Sequence, residues 1–235
     1  MPNYTFYDDF DGPAGSAPDP AKWTYDLGGG GWGNGELEVY ANARANSCLD
    51  GNSNLVISAT RDSKGGYVSS RLKTLGLFAQ IGGSWEARIK IASQRGVWPA
   101  FWLMGRNIIT AGWPSCGEVD VLEDFGYNTV QSSVHAPSGA AAVSQSFELP
   151  GDGSFHVYRC DFSTEGITFF RDDYEYGHTP SSFCPAPSWV FGPAEPNNGG
   201  MFALLNVAVG GNAGTPPATT AFPASMTVDY VRAWQ

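Results

Sequence analysis

The sequence predicts an all-β sandwich, and three observations point to it. The chain of 235 residues combines 30 Gly and 16 Pro with 14 Phe, 10 Tyr and 8 Trp, a composition typical of many turns between aromatic-rich strands. Only 15% of its residues are charged, which is low for a helical protein. Strand-length apolar runs recur between turns, with no internal repeat and no linker long enough to separate domains. We therefore predict one domain over residues 1–235, since sandwiches run to ~250 residues as single units.

Nine runs have the length and β-branched or aromatic content of strands. They are Leu55–Thr60, Ser84–Ala92, Val97–Leu103, Glu118–Glu123, Val130–His135, His156–Phe162, Ile167–Arg171, Met201–Val209 and Thr227–Trp234. Ser163–Gly166 is predicted to be a hairpin loop, and Cys184–Gly200, rich in Pro, Gly and Asn, a long loop at the rim of a sheet. Helix is predicted only as a single turn at Asp19–Trp23, with Asp19 as the N-cap and Pro20 at the first helical position.

Three carboxylates stand within six residues of one predicted strand. Side chains alternate along a strand, so Glu118 and Asp120 share a face, whereas Glu123 should point to the other. A β-bulge near Val121 and Leu122 would return Glu123 to the face of the other two acids. The alternative is a solvated strand face, but the rest of the run is apolar and typical of a central strand, where like charges are unfavourable. The spacing therefore indicates acid/base chemistry.

A predicted hairpin places a histidine beside these acids. Folding Glu118–Glu123 against Val130–His135 about the turn at Gly126–Asn128 brings His135 near Glu118. Gln131 and Ser133 alternate with His135 onto the same face, and an imidazole there can hydrogen-bond a carboxylate or a ligand hydroxyl. A lone histidine is more often structural, and His156 and His178, which lack such neighbours, are interpreted in that way.

The segment Glu118–Glu123 fits the pattern E-x-D-x-x-E, and here the chain resembles glycoside hydrolase family 16, in its laminarinase branch. The similarity covers nearly the whole chain. It extends to Trp32–Tyr40 (WGNGELEVY), Ser70–Arg71, Arg95–Leu103 (RGVWPAFWL), Ser133–His135, Phe155–Tyr158, Leu205–Gly211 (LNVAVGG) and Met226–Arg232 (MTVDYVR). The resemblance implies a concanavalin A-like jelly roll of two antiparallel sheets, whose concave face forms the substrate cleft of a catalytic domain.

The resemblance also implies roles for individual residues. Glu118 would be the nucleophile of a retaining mechanism, Glu123 the acid/base, and Asp120 a second charge between them. Substrate-binding positions implied in the same way are Asn34, Glu36, Arg71, Trp98, Trp102, Trp113, His135 and Asn206. For the tryptophans the competing interpretation is core packing, and for Arg71 it is pairing with a structural acid.

The function implied is endo-hydrolysis of β-1,3-glucan of the laminarin type. Mixed-linkage β-1,3-1,4-glucan is a secondary substrate, because the form without the extra residue, E-x-D-x-E, is typical of lichenase-like members of the family. Two alternatives stay open: a transglycosylase on β-glucan with the same acids, and a non-hydrolytic glucan-binding recognition protein, against which the intact Glu118 and Glu123 argue. The chain departs from common family patterns at Arg171–Tyr176, which leaves the outer edge of one sheet undetermined.

Charge narrows the range of partners. The net charge of −10 repels phosphate backbones, anionic membranes and polyanionic glycans, so we expect a neutral glucan substrate, no nucleic acid or membrane partner, and a monomer. The amino terminus has no signal-peptide pattern, which is typical of a cytosolic protein or of a mature form whose signal peptide has been replaced by a start Met. We expect the second, a secreted protein.

The remaining expectations concern cysteines and metal. Four distant cysteines, Cys48, Cys116, Cys160 and Cys184, have no metal-binding or redox spacing, and one or two disulfides are expected, buried free thiols being the alternative. The chemistry requires no cofactor. A structural calcium ion is implied only by the resemblance, near Asp9, the carbonyl of Gly51 and the side chain of Asp229.

Overall fold

The computed structural model describes residues 2–138, 141–184, 188–191 and 199–235, which fold mainly as strands. The strands are β1 Tyr4–Asp8, β2 Thr24–Asp26, β3 Glu38–Tyr40, β4 Ser47–Leu49, β5 Leu55–Arg61, β6 Tyr67–Ser69, β7 Arg71–Lys73, β8 Gly83–Ile91, β9 Val97–Gly105, β10 Glu118–Asp124, β11 Thr129–Ser138, β12 Ala141–Pro150, β13 Phe155–Phe162, β14 Gly166–Arg171, β15 Tyr174–Pro180, β16 Met201–Val209 and β17 Ala224–Trp234. The helix α1 Ile108–Ala111 and two 3₁₀ turns, Ser181–Phe183 and Gly211–Ala213, complete the described elements.

The strands form the predicted sandwich of two sheets. One sheet has the order β12-β11-β10-β9-β16-β7-β2. The other has the order β15-β14-β13-β8-β17-β5-β6-β3, with β1 beside β17 and β4 beside β5. The described pairs are antiparallel except β3 with β6, which is parallel and departs from the expectation of wholly antiparallel sheets. The strand order is that of a jelly roll, in which distant segments become neighbours.

The core lies between the sheets, and strand β9 shows how it is divided from the cleft. Phe101 and Leu103 belong to the same buried cluster as Trp85 and Ile89 of the opposite sheet. The alternate residues of β9 point the other way, since side chains alternate along a strand. They are Trp98, Ala100, Trp102 and Met104, and all four line a cleft on the outer face of the seven-stranded sheet.

All nine predicted strands are present, with ends that differ by a few residues. Strands of five residues or fewer were missed, as were the longer strands β12 and β15. At Asp19–Trp23 the structure has a hydrogen-bonded turn rather than a helix: the Trp23 amide donates to the Asp19 carbonyl at 2.9 Å. Asp19 still caps it, accepting from the Ala21 amide at 2.8 Å. Residues 185–187 and 192–198 of the predicted long loop lie outside the described residues.

The outer edge left undetermined by the sequence is the hairpin β14–β15. Its turn is formed by Asp172 and Asp173, which have φ angles of 51° and 64°. Two consecutive left-handed residues match the twist of an antiparallel hairpin, and Asp tolerates that conformation better than most residues. Among the described residues, no helix is long and apolar enough to cross a membrane.

The prediction of disulfides is wrong for this structure. All four cysteines are free, and Cys116, Cys160 and Cys184 are buried. Cys160 on β13 and Cys184 belong to the hydrophobic core between the sheets, where their thiols pack as small apolar groups. Cys48 lies on β4 and is only partly buried.

Candidate active site

The predicted bulge is present in β10, and it gathers the three acids. Against β11, Asp120 pairs with Ser133 and Glu123 with Gln131, so β10 advances three residues while its partner advances two. The register against β9 shifts at the same place. One extra residue reverses the alternation, and Glu118, Asp120 and Glu123 all line the same cleft.

The bulged strand ends in a tight turn that keeps the hairpin in this register. Gly126 has a φ of 82°, and a Cβ there would lie 2.4 Å from the carbonyl oxygen of Gln94. Its amide donates to Asp124, which also accepts from Ser93 at 3.0 Å. Asp124 therefore has a structural role. The hairpin pairs His135 directly with Glu118, as predicted.

The cleft has a volume of about 540 Å³. All eleven predicted catalytic and substrate-binding residues line it: Asn34, Glu36, Arg71, Trp98, Trp102, Trp113, Glu118, Asp120, Glu123, His135 and Asn206. They come from distant parts of the chain, so the sheet order is what brings them together.

Glu118 accepts a hydrogen bond from Trp113 and lies among charged groups that act on its pKa. Trp113 Nε1, five positions earlier in the sequence, donates to Glu118 Oε2 at 2.6 Å. Burial and the charge of Asp120 raise the pKa of Glu118 to about 8, while His135, the Trp113 hydrogen bond and Arg71 act to lower it. Three groups thus favour the ionised form of this carboxyl.

Glu123 has fewer groups that favour ionisation. Its Oε1 accepts one hydrogen bond, from Trp98 Nε1 at 3.0 Å. Burial and the charges of Asp120 and Glu118 hold its pKa well above the usual range, and only the Trp98 hydrogen bond opposes them. Because Glu118 has the more favourable surroundings, it gives up its proton first and Glu123 keeps its own. This is the division between nucleophile and acid that glycoside cleavage needs.

Asp120 and His135 form a pair between the acids. Asp120 Oδ2 lies 2.9 Å from His135 Nε2, and the other ring nitrogen lies 2.6 Å from Ser144 Oγ. Burial lowers the pKa of His135, but the hydrogen bond and charge of Asp120, with the charge of Glu118, raise it overall. A protonated imidazole offsets part of the negative charge of the cleft, and Ser144 fixes the ring.

Arg71 does pair with a structural acid, and it also lines the cleft. Its Nε lies 3.0 Å from Asp26 Oδ2, and Lys73 contacts the other oxygen of that carboxylate. The guanidinium lies over the rings of Trp32 and Trp102, at 5.0 and 4.6 Å from their centroids. Such stacking is favourable, so Arg71 is fixed in place and covers part of Trp102.

The three predicted cleft tryptophans are not equivalent. Trp113 is 52% exposed and is available to stack on a ligand. Trp98 and Trp102 are 8% and 9% exposed, and each directs its N–H to a functional group, Glu123 or Asn206. They form the floor of the cleft and orient polar side chains.

Comparison with known proteins agrees with this geometry. Residues 36–201 match the family described as Glycosyl hydrolases family 16. The chain belongs to this family.

Members of family 16 resemble the chain along its length. The Beta-glucanase of Rhodothermus marinus is 35% identical over 233 residues, covering 93% of this chain and 80% of the relative. The catalytic domain of an endo-1,3-beta-glucanase (laminarinase) from Thermotoga petrophila superposes with a TM-score of 0.86 at 33% identity, covering 100% of this chain and 98% of that one. A structure described as that of an immunostimulatory antigen and pseudo beta-1,3-glucanase of Mycobacterium tuberculosis superposes with a TM-score of 0.81 at 34% identity, covering 98% of both chains. The predicted family, jelly-roll fold and glycoside hydrolase class are confirmed.

The calcium ligands implied by resemblance to family 16 do not fit an ion as they stand. Asp9 accepts from Arg232 at 2.8 Å and Asp229 from Arg88 at 2.6 Å. Within the described ranges, no group of three or more His, Cys, Asp or Glu side chains is placed to hold a metal. Calcium wants six to eight oxygens, and here two of its expected carboxylates are paired with arginines.

Some lining residues of this family 16 cleft were not predicted. They are Trp32, Gly33, Met104, Phe125, Ser144, Ala208 and Asn212, with Ala100 between Trp98 and Trp102. Gln131, expected on the face of His135, does line the cleft. Trp32 lies in the quoted segment WGNGELEVY, so the motif contained a signal. Ser144 lies on the missed strand β12, opposite His135, and only the strand pairing reveals it.

Proposed function

We propose that the chain hydrolyses internal β-1,3 linkages of neutral β-glucans with retention of anomeric configuration. The observation that carries this proposal is the bulge in β10, which turns Glu118, Asp120 and Glu123 into one cleft. Because of their unequal surroundings, Glu118 loses its proton before Glu123 does, so that between the two losses one carboxyl is ionised and the other protonated. This is the pair that a retaining glycosidase requires.

In the first step the carboxylate of Glu118 attacks the anomeric carbon of the glycone. Glu123 donates its proton to the glycosidic oxygen, and the aglycone leaves as an alcohol. The Trp113 N–H holds the carboxyl of Glu118 through Oε2, and the Trp98 N–H holds that of Glu123 through Oε1. The product of this step is an ester between Glu118 and the sugar.

In the second step a water molecule replaces the aglycone. Glu123, now a carboxylate, takes a proton from this water, whose oxygen attacks the anomeric carbon and releases Glu118. Two inversions at one carbon give net retention. A transglycosylase differs only in using a sugar hydroxyl in place of water.

The substrate class is inferred from charge, relatives and the bulge. Four acids line the cleft, Glu36, Glu118, Asp120 and Glu123, against Arg71 and His135, and this excess disfavours anionic glycans. The name of the Rhodothermus protein, Beta-glucanase, supports a β-glucan, and that of the Thermotoga protein, an endo-1,3-beta-glucanase, supports a β-1,3-glucan. The bulged motif points the same way, with mixed-linkage glucan as the secondary substrate.

Product analysis on laminarin, lichenan, xyloglucan and agarose tests the proposal. We expect a ladder of short oligosaccharides from laminarin, fewer products from lichenan and none from the other two, with β-anomers appearing first by NMR. Initial α-anomers would refute retention, and release of only one product size would refute endo action. Longer products than the starting oligosaccharide would indicate a transglycosylase, and binding without cleavage a recognition protein.

We propose further that catalysis needs no metal, because the steps above use only carboxyls and water. The structural calcium ion remains a prediction. The pairing of Asp9 with Arg232 and of Asp229 with Arg88 disfavours calcium binding at these carboxylates. Laminarin hydrolysis and the melting temperature should both be unchanged by EDTA. A melting temperature that falls in EDTA and returns with Ca²⁺ would restore the calcium site, whereas lost hydrolysis would refute metal-free catalysis.

A further inference from the structure

A second pair of carboxyls lies behind the cleft, outside the chemistry described so far. Glu36, Glu38 and Tyr40 alternate onto one face of the segment that enters β3, while Leu37 and Val39 between them are exposed. Glu36 lines the cleft and is 8% exposed, whereas Glu38 and Tyr40 are 1% exposed and lie beneath it. Glu38 is thus a buried acid without a catalytic task.

The hydrogen bonds around this pair run in one direction. Trp102 Nε1 can only donate, and it donates to Asn206 Oδ1 at 2.7 Å. This fixes the amide, so Asn206 Nδ2 donates to Tyr40 Oη at 3.1 Å, and the Tyr40 hydroxyl must donate to Glu36 Oε2 at 3.0 Å. Asn34 Nδ2 donates to the other oxygen, Glu36 Oε1, at 2.9 Å. Glu36 therefore accepts at both oxygens, as a carboxylate does.

Glu38 has no such set of donors. Its Oε2 accepts from the Val209 amide at 2.6 Å. In the part of the chain that the structure describes, no N–H or O–H donor reaches its buried Oε1. Glu36, two residues away on the same buried face of the segment, interacts with this carboxyl through a side-chain hydrogen bond and through its charge. Two facing carboxyls attract only when one of them carries a proton.

We infer that Glu38 is a positioning residue for the cleft, a neutral acid that donates its proton to Glu36 and holds that carboxylate as an acceptor for a sugar hydroxyl. This inference rests on the proposed glucan-binding function of the cleft. Burial, reinforced by the hydrogen bond and charge of Glu36 and opposed by the Val209 amide, raises the pKa of Glu38 to about 8. Among the described residues, Tyr40 donates to Glu36 and feels the charges of Glu36, Glu38 and Arg71, so Tyr40 and Arg71 belong to the same electrostatic cluster.

The consequence is a binding site that weakens in alkali. Once Glu38 loses its proton, two buried like charges face each other, and Glu36 is pushed from the position that Asn34 and Tyr40 define. Glutamine at position 38 would keep both functions, because its carbonyl can accept from Val209 and its NH₂ can donate to Glu36, and it does not ionise. Leucine would keep the bulk and lose both.

The binding arm of the test uses protein that cannot cleave the ligand. Calorimetry with a β-1,3-glucan oligosaccharide at pH 6 and pH 9 compares Glu118→Gln with the double variant Glu118→Gln/Glu38→Gln, in which the titration of Glu123 and His135 is shared. We expect the Kd of the single variant to rise between these pH values about tenfold more than that of the double variant, the range of one hydrogen bond to a charged group. Equal pH dependence in both proteins would overturn the inference.

Kinetics at pH 6 separate positioning from folding. With Glu118 intact, Glu38→Gln should keep the wild-type KM, and Glu38→Leu should raise KM about tenfold with kcat retained. A Glu38→Leu variant with wild-type KM would overturn the inference, whatever its melting temperature. If Glu38→Leu does not fold, Glu38→Gln still tests the inference. A KM about tenfold above the wild-type value in Glu38→Gln would also overturn it.

A substrate-free arm tests the proton itself. In protein with ¹³C-labelled glutamate carboxyls, the signal absent from Glu38→Gln belongs to Glu38 and should titrate near pH 8. A carboxylate signal already present at pH 6 would overturn the inference. If no glucan oligosaccharide binds Glu118→Gln, the proposed function fails, and this titration then decides the state of Glu38 independently.

Discussion

Replacing Trp113 separates the two tasks that one exposed ring performs in the cleft. Trp113→Phe keeps most of the aromatic surface and removes the N–H that donates to Glu118 at 2.6 Å. Trp113→Ala removes the N–H and the ring together. Since that hydrogen bond favours the ionised form of Glu118, losing it should raise the pKa of the nucleophile.

The magnitude follows from the exposure of the donor. A hydrogen bond to a charged group contributes ~1.5–3 kcal/mol, and the half-exposed Trp113 places this one at the lower end. Because ~1.4 kcal/mol corresponds to one pKa unit, the acid limb of kcat/KM should move up by about one pH unit in Trp113→Phe. Trp113→Ala should lose a further ~1–3 kcal/mol of transition-state binding, by analogy with aromatic stacking contacts elsewhere.

The assay is a pH–rate profile on laminarin, combined with thermal melting of each variant. Trp85 is the control, because its ring is fully buried and packs against Phe6 and Phe78. Trp85→Ala should cost ~3–5 kcal/mol of folding stability, while the protein that remains folded keeps its catalytic constants.

Two results would refute this reasoning. An unmoved acid limb in Trp113→Phe would mean that the hydrogen bond does not control Glu118. A Trp113→Ala variant with a collapsed melting temperature and unaltered kinetics would return Trp113 to a structural role.

Three further predictions concern the bulged strand. Glu118→Gln and Glu123→Gln should each lose nearly all laminarin hydrolysis while remaining folded. On an activated aryl glycoside, only Glu123→Gln should keep its first step and be rescued by azide. Substantial laminarin hydrolysis by either variant, or identical behaviour of the two without rescue, would contradict the assignment. Deleting Leu122 should restore regular alternation in a domain that still folds by circular dichroism, with laminarin activity reduced and mixed-linkage glucan relatively favoured; unchanged laminarin activity would show that the bulge is not needed. The raised pKa of Glu123 means that the stability of the wild type falls as the pH rises above the usual carboxyl range. Glu123→Gln should therefore melt at a higher temperature than the wild type at pH 8 and at no higher temperature at pH 4. A difference in melting temperature that does not depend on pH would contradict this prediction.

The sequence was most informative where one strand carried the whole signal. The odd spacing of Glu123 from Glu118 was enough to predict the bulge, and the hairpin length was enough to place His135. Strand β16 was predicted with its observed ends, because it is a buried strand whose apolar run is interrupted only by Asn206. In these cases local alternation and turn chemistry decide the structure.

The rest depended on contacts between distant segments. Strands β2 and β7 have three residues each, too few for a periodic signal, and they exist because β16 pairs with β7 and β7 with β2. The pairing of Arg71 with Asp26 follows from that register. The free cysteines illustrate the same limit, because thiols far apart in sequence gave no information on distance in space.

The charge of Glu118 is one of the causes of the raised pKa of Glu123, and this has a consequence during turnover. When Glu118 becomes a sugar ester, its negative charge disappears, and one of the forces that kept the proton on Glu123 disappears with it. Glu123 therefore becomes a weaker proton holder at the stage when it must accept a proton from water. Release of the sugar restores the charge and, with it, the acid. The closeness of the carboxyls in β10 thus couples the two steps of the reaction, because the covalent state of Glu118 determines whether Glu123 donates or accepts a proton.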